Sequence, residues 1–368
     1  MHALCRSGLA AERHNACIVE QRVHPLVMAA RLAVAVRAPP APIVDMRIDP
    51  ELPVIFHRRH ALRAGMTAHQ ITHRIGTGVW HVLRRGVYCR ASTWQTASAE
   101  RRAALLGVAA ALLRTGDAPF ALSHATAAAA HGLPVPDQNT AWITVAAGHG
   151  AGTHYGPSLR QEVATLPVEH VRHVRGWPVT TPSRTVADCL RHLETEAAVA
   201  IADAALRQGL MRLEALADVV KWQATWPLAA AARAALALVD GRRESPLESR
   251  SAVVMHRHAL PAPLCQVEVR DGRGRFVARV DFAWPQLGVV GEADGRGKYD
   301  GDAVEAFEAE KDRQALLEAL GLVVVRWGSR HLAGPAPVMV QRLREAFDRS
   351  PRPHFTGSFA HVLPRYTR

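Results

Sequence analysis

Lysine is nearly missing from this chain: Lys221, Lys298 and Lys311 are the whole complement, and arginine supplies the rest of the 45 basic residues. The five cysteines, at 5, 17, 89, 189 and 265, are widely separated and odd in number, and none falls in a Cys-x-x-Cys spacing. That pattern excludes a disulfide framework and a closed cysteine zinc site, and predicts free thiols in a reducing compartment. Long apolar runs are also absent. The longest, at 103–113, falls short of the ~18 residues that a membrane span requires, so no integral membrane protein is expected. Arg31 interrupts the only candidate signal core, at 26–36, and a cytoplasmic protein with no membrane partner is therefore expected.

The composition is otherwise that of a globular protein, and 368 residues exceed what one core holds, so two or three domains are expected. The formal net charge of +12 points to a polyanionic partner, duplex DNA first. The surplus is uneven. Residues 46–90 hold eight arginines against Asp49 and Glu51, whereas 241–313 hold twelve basic and thirteen acidic side chains. One region suits phosphate and the other suits cations. Residues 1–45 read as a flexible extension ending in the stiff Ala38-Pro39-Pro40-Ala41-Pro42 linker, and Met46 is expected to be the translation start.

In 46–92 the pattern predicts a short helix closed by Gly65 and a second helix opened by a Thr67/Gln70 capping box. Two strands should follow, joined by the basic turn Arg84-Arg85-Gly86. Two helices and such a hairpin make a winged helix-turn-helix, with His69, His73, Arg74, Arg84 and Arg85 as the candidate DNA contacts. The bland alternative is a small subdomain with a solvated arginine face.

Residues 93–240 predict an α-rich mixed middle domain: helices at 97–114, after Ser123, at Pro182–His192, 194–208, Leu213–Trp222 and 227–239, with strands at Ala141–Ala146 and 168–174. His124, His131, His149 and His154 lack the paired spacing of a metal site and read as structural or solvated.

In 241–350 the predicted order is αβββαβα, with 351–368 as a tail. Ser245, Pro246 and Glu248 suit the N-cap, first and third positions of a helix. Asp281 ends one strand, and Glu292 and Asp294 share a face of the next. Glu248, Asp281 and Glu292 are therefore candidate ligands for Mg²⁺ or Mn²⁺, with Asp281, Glu292, Asp294, Lys298 and Lys311 as candidate catalytic residues. Each has a structural alternative: Glu248 as the acceptor of a capping box, Asp281 as a turn former, Lys311 as half of a helical ion pair.

Two resemblances accompany this reading. Leu62-Arg63-Ala64-Gly65-Met66-Thr67, Gly78-Val79-Trp80 and Arg84-Arg85-Gly86-Val87-Tyr88 resemble the winged-helix region of the abortive-infection (AbiEi-like) type IV antitoxins. Ser123-His124-Ala125-Thr126-Ala127-Ala128 and the stretch 179–188 resemble the portion that follows it in that family, a scaffold or partner surface. Val280-Asp281-Phe282, Glu292-Ala293-Asp294-Gly295, Lys298-Tyr299, Lys311-Asp312-Arg313 and 320–326 resemble the very-short-patch-repair (Vsr-like) endonuclease branch of the PD-(D/E)XK superfamily. The second likeness covers about 244–344 and implies a restriction-endonuclease-like αβββαβ core, so that the whole chain would be an α/β multidomain protein. It departs from the superfamily pattern at Asp294, where a lysine is usual. The resemblances imply a Mg²⁺-dependent DNA endonuclease, or alternatively an antitoxin or transcriptional regulator with an inactive nuclease-like domain and a cognate toxin as partner. A scaffold that docks a protein through the alanine-rich middle is the third reading.

Overall fold

The computed structural model describes residues 52, 54–112, 118–136, 140–294, 303–349 and 355–361, with the side chains of 303–310 and 361 excepted. The expected flexible extension, the Met46 start and Lys298 lie outside the described residues. The architecture is mixed α/β, with three sheets. Among the described residues no helix is long and apolar enough to cross a membrane.

The first unit begins with β1 (Ile55–His57), α1 (Arg58–Arg63) and α2 (Ala68–Gly76). The predicted cap is present: Gln70 N–H donates to Thr67 Oγ1 at 3.2 Å and Thr67 N–H to Gln70 Oε1 at 2.7 Å. β2 (Trp80–Arg84) and β3 (Val87–Arg90) form the expected hairpin, and β1 adds itself to β3 as a third strand. Phe56, Ala61, Met66, Ile71, Trp80 and Tyr88 fill the core between helices and sheet. The other face of this sheet packs through Ile55, Leu83, Val87 and Cys89 onto Leu105 and its neighbours in α4 (Ala99–Leu112), which follows the short α3 (Ala91–Gln95).

The middle region is less helical than its alanine content suggests. β4 (Phe120–Leu122), α5 (His124–Ala130), β5 (Ala141–Ala146), β6 (His154–Tyr155), β7 (Leu159–Ala164), β8 (Val171–Val174) and β9 (Trp177–Thr180) build a six-stranded mixed sheet of order β6-β7-β5-β4-β9-β8. Only two of these strands are foreseen from periodicity, because the others are very short or polar and lack apolar alternation. α6 (Pro182–His192), α7 (Thr195–Arg207), α8 (Leu213–Trp222) and α9 (Ala229–Leu236) then pack together around Val186, Leu190, Val199 and Ile201.

The last unit follows the expected order. α10 (Pro246–Arg257) precedes β10 (Leu264–Arg270), β11 (Phe276–Trp284), β12 (Val289–Ala293), α11 (Ala303–Ala319), β13 (Val323–Trp327) and α12 (Val338–Arg349). β14 (Ser358–His361) pairs with β10, so the sheet recruits residues from the stretch expected as a tail. The order is β13-β12-β11-β10-β14, antiparallel except for the parallel β12–β13 pair. Separate apolar clusters cover its two faces, one beneath α10 and α12 and one beside Leu317 of α11. Gly291 of β12 is obligatory in this packing, since a Cβ there would meet Trp327 at 2.6 Å and Trp284 at 3.2 Å.

Candidate functional site

Glu248 sits in the first turn of α10, where Ser245 Oγ accepts its N–H at 3.2 Å. Its Oε2 accepts the Glu244 N–H at 2.9 Å, so part of its role is to cap the helix start. The same oxygen accepts a 2.8 Å bond from Gln266 Nε2, which also donates to Asp281 Oδ1 at 3.1 Å. Gln266 therefore bridges the helix carboxylate and the strand carboxylate. It does so from a left-handed backbone, φ +53, inside β10, and its own Oε1 is buried without a hydrogen-bond partner. Such strain costs about 1–3 kcal/mol at a residue other than glycine and persists only where the surroundings impose it.

Asp281 comes from β11 and Glu292 from β12. The antiparallel register ends with Phe282 paired to Gly291, and Asp281 and Glu292 are the residues that follow on either strand, close enough for the Glu292 charge to act on Asp281. Asp281 Oδ2 accepts the Ala293 N–H at 2.8 Å. Burial pushes the Asp281 carboxyl up to about 7, and the neighbouring Glu248 and Glu292 charges push the same way against the hydrogen bonds that favour ionisation. Glu292 is only 6% exposed and is met by two arginines. Arg313 of α11 approaches Oε1 at 2.7 Å, and Arg326, its register partner on β13, approaches Oε2 at 2.9 Å.

Of the three predicted metal ligands, Glu248 and Asp281 are linked through Gln266, and Glu292 lies near enough for its charge to act on Asp281. Asp294 is exposed beyond the strand end, its N–H donating to the Trp327 carbonyl at 2.8 Å. Lys311 is exposed on α11, two residues before Arg313. Sequence reasoning misses Gln266, Arg313 and Arg326 as parts of this site. Gln266 carries no charge to attract notice, and Arg313 and Arg326 lie in stretches that carry the Vsr-like resemblance without being given a role there. That they meet Glu292 follows from register and packing, which a single sequence does not display.

At the other end of the chain, His69, His73 and Arg85 are exposed on α2 and the hairpin tip. Arg74 is half-buried with its guanidinium 5.7 Å from the Trp80 ring. Arg84 turns to the middle region, its Nη1 donating to the Ser158 carbonyl at 3.4 Å.

A third cluster is not foreseen at all. Among the described residues, the His, Cys, Asp and Glu side chains whose donor atoms all lie within 4.8 Å of one another are His124, Glu162 and His192; the three carboxylates are spaced more widely. Arg191 Nη2 donates to both Glu162 oxygens at 2.9 and 3.0 Å and to Asp188 Oδ1 at 3.0 Å. Arg184 closes the network on Asp188 at 2.8 Å. These partners hold Asp188 below the usual carboxylate range even though burial opposes ionisation.

No protein-family model matches the chain. It is 32% identical over 234 residues to an uncharacterized protein of Mycobacterium tuberculosis, Rv2248 in strain H37Rv and MT2308 in strain CDC 1551. The aligned stretch is 63% of this chain and 83% of the mycobacterial one.

Proposed function

The chain belongs to the family of these uncharacterized mycobacterial proteins, and we propose that it is a cytoplasmic DNA-binding protein whose C-terminal unit hydrolyses phosphodiesters with Mg²⁺ or Mn²⁺. In this reading the first unit is a winged helix-turn-helix, and the last is a Vsr-like member of the PD-(D/E)XK superfamily. The observation that carries it is the juxtaposition of Asp281 with Glu292 and, through Gln266, with Glu248. Carboxylates so placed repel one another, and a cation relieves the repulsion.

The donor set fits a hard cation. Glu248 and Asp281 offer oxygens, and the orphaned Oε1 of Gln266 would become a third if the amide turned over. A bound Mg²⁺ or Mn²⁺ would supply an acidified water and neutralise charge on the phosphate oxygens. Asp281 and Glu248 would hold that ion and Glu292 would orient beside it. Arg313 and Arg326 would bring positive charge to the place left by the lysine that Asp294 replaces. Exposed His69, His73 and Arg85 would meet duplex DNA, with Arg74 and Arg84 supporting the surface from inside. Supercoiled plasmid incubated with Mg²⁺ should be nicked by the wild type and left intact by Asp281→Ala and Glu292→Ala. Equal nicking by all three would remove the hydrolysis from this site.

The alternative is an AbiEi-like regulator whose nuclease-shaped unit is inactive and which pairs with a toxin. The specific observation on its side is that Glu292 already has two arginine partners, so its charge needs no metal. Salt-sensitive DNA binding with no cleavage in Mg²⁺ or Mn²⁺ is the outcome this alternative requires.

A further inference from the structure

We propose that His124, Glu162 and His192 form a second, separate binding site, for a first-row divalent cation of the Zn²⁺ class. The three residues come from α5, β7 and α6, and their donor atoms fall within 4.8 Å of one another. Two imidazoles and a carboxylate are the donor set of an open zinc site, with a fourth position left for water or an external anion.

His124 gives the most specific sign. It is fully buried, yet its Nε2 has no hydrogen-bond partner and lies 3.6 Å from Glu162 Oε2. Its Nδ1 is 2.9 Å from Ser123 Oγ, and donation from that nitrogen leaves the lone pair on Nε2, aimed at the cluster. The backbone is left-handed there, φ +50, and the ring stacks on Trp142 with centroids 4.0 Å apart. The surroundings therefore fix both backbone and ring of a residue that makes no bond through its inner nitrogen.

The other two ligands are compatible. A carboxylate has about four acceptor positions, of which Arg191 takes one on each oxygen of Glu162. The second position on Oε1 is met by His192 Nε2 at 3.3 Å, a contact an ion between them would replace, and one position on Oε2 remains. His192 is the least buried of the three, and its ring centroid is 6.2 Å from that of exposed Tyr155. Glu162, Asp188, Arg184 and Arg191 already balance in charge, so hydroxide or another anion as fourth ligand would offset one of the two charges that the dication adds.

The test uses the full chain stripped of metal by a chelator and then titrated with Zn²⁺ by calorimetry, with Co²⁺ visible absorption as a reading of coordination. The wild type should bind one Zn²⁺ at the cluster, and bound Co²⁺ should show the bands of a low-coordinate nitrogen–oxygen site. His192→Ala, at the least buried ligand, should lose the site, and Ser123→Ala should weaken it by roughly tenfold by releasing the ring of His124. Asp281→Ala should keep the Co²⁺ bands of the nitrogen–oxygen cluster, which separates this site from the carboxylates. Absence of Zn²⁺ binding by the wild type, unchanged binding by folded His192→Ala, or loss of the nitrogen–oxygen Co²⁺ bands in Asp281→Ala would each overturn the proposal.

Discussion

Single side chains here carry environments that their neighbours in sequence do not announce. His131 is an example outside both proposed metal sites. Its Nε2 lies 2.7 Å from the Thr180 carbonyl and its Nδ1 is 2.8 Å from Arg172 Nη2, an arrangement that suits the neutral ring with Nε2–H donating and Nδ1 accepting. Burial first, then the Arg172 charge, lowers its pKa from 6.5 to about 4, against the pull of the Thr180 bond. The folded ring thus binds its proton more weakly than the unfolded one. Its contribution to stability is complete above pH 6.5 and is lost as pH falls toward 4. Urea unfolding of the wild type should show this decline, and His131→Gln should flatten it by at most about 3 kcal/mol. At the same scale, Arg85 is the exposed arginine at the tip of the β2–β3 hairpin, which the proposed reading takes as a DNA-contacting wing. Arg85→Ala should weaken DNA binding alike for all sequences and reduce the slope of log affinity against log salt by about 1 in magnitude.

Among elements, β12 shows how packing places chemistry. Gly291 lies between Trp284 and Trp327, and the next residue is Glu292. Gly291→Ala should destabilise the protein by about 1–3 kcal/mol through overpacking, measured by chemical denaturation, and should disturb the neighbouring carboxylate. β10, β11, β12 and β13 were legible in the sequence because their apolar residues alternate or run continuously between clear turns. The caps of α2 and α10 were legible from Thr67/Gln70 and Ser245-Pro246. β7 was not, because Leu-Arg-Gln-Glu-Val-Ala carries no alternation and buries Glu162 only by pairing it with Arg191. The Glu248–Asp281–Glu292 convergence could be inferred from element order. Gln266, Arg313 and Arg326 could not, since they enter through long-range register, and neither could the meeting of His124 with Glu162 and His192.

Across the whole molecule the three units are tied by polar joints as well as by apolar clusters. Asp203 of α7 accepts bonds from Arg243 Nη1 at 2.9 Å, Ser249 Oγ at 2.7 Å and the Asp240 N–H at 2.7 Å. Val253 of α10 joins the core of the middle helices. The helix that carries Glu248 is therefore anchored on the middle region, while Arg84 ties the hairpin to the same region at Ser158. Middle and last units share α10 as a structural element, and the arginine-rich first unit and the acidic end are held on one scaffold.

The account depends on the acidic end taking up a hard dication. Calorimetric titration with Mn²⁺ of the wild type, His192→Ala and Asp281→Ala, each checked for folding by circular dichroism, addresses it directly. One Mn²⁺ bound by the first two proteins, with proton release near neutral pH as Asp281 ionises, and none by the third is the predicted result. Undiminished Mn²⁺ binding by Asp281→Ala, or no binding by the wild type, would contradict it.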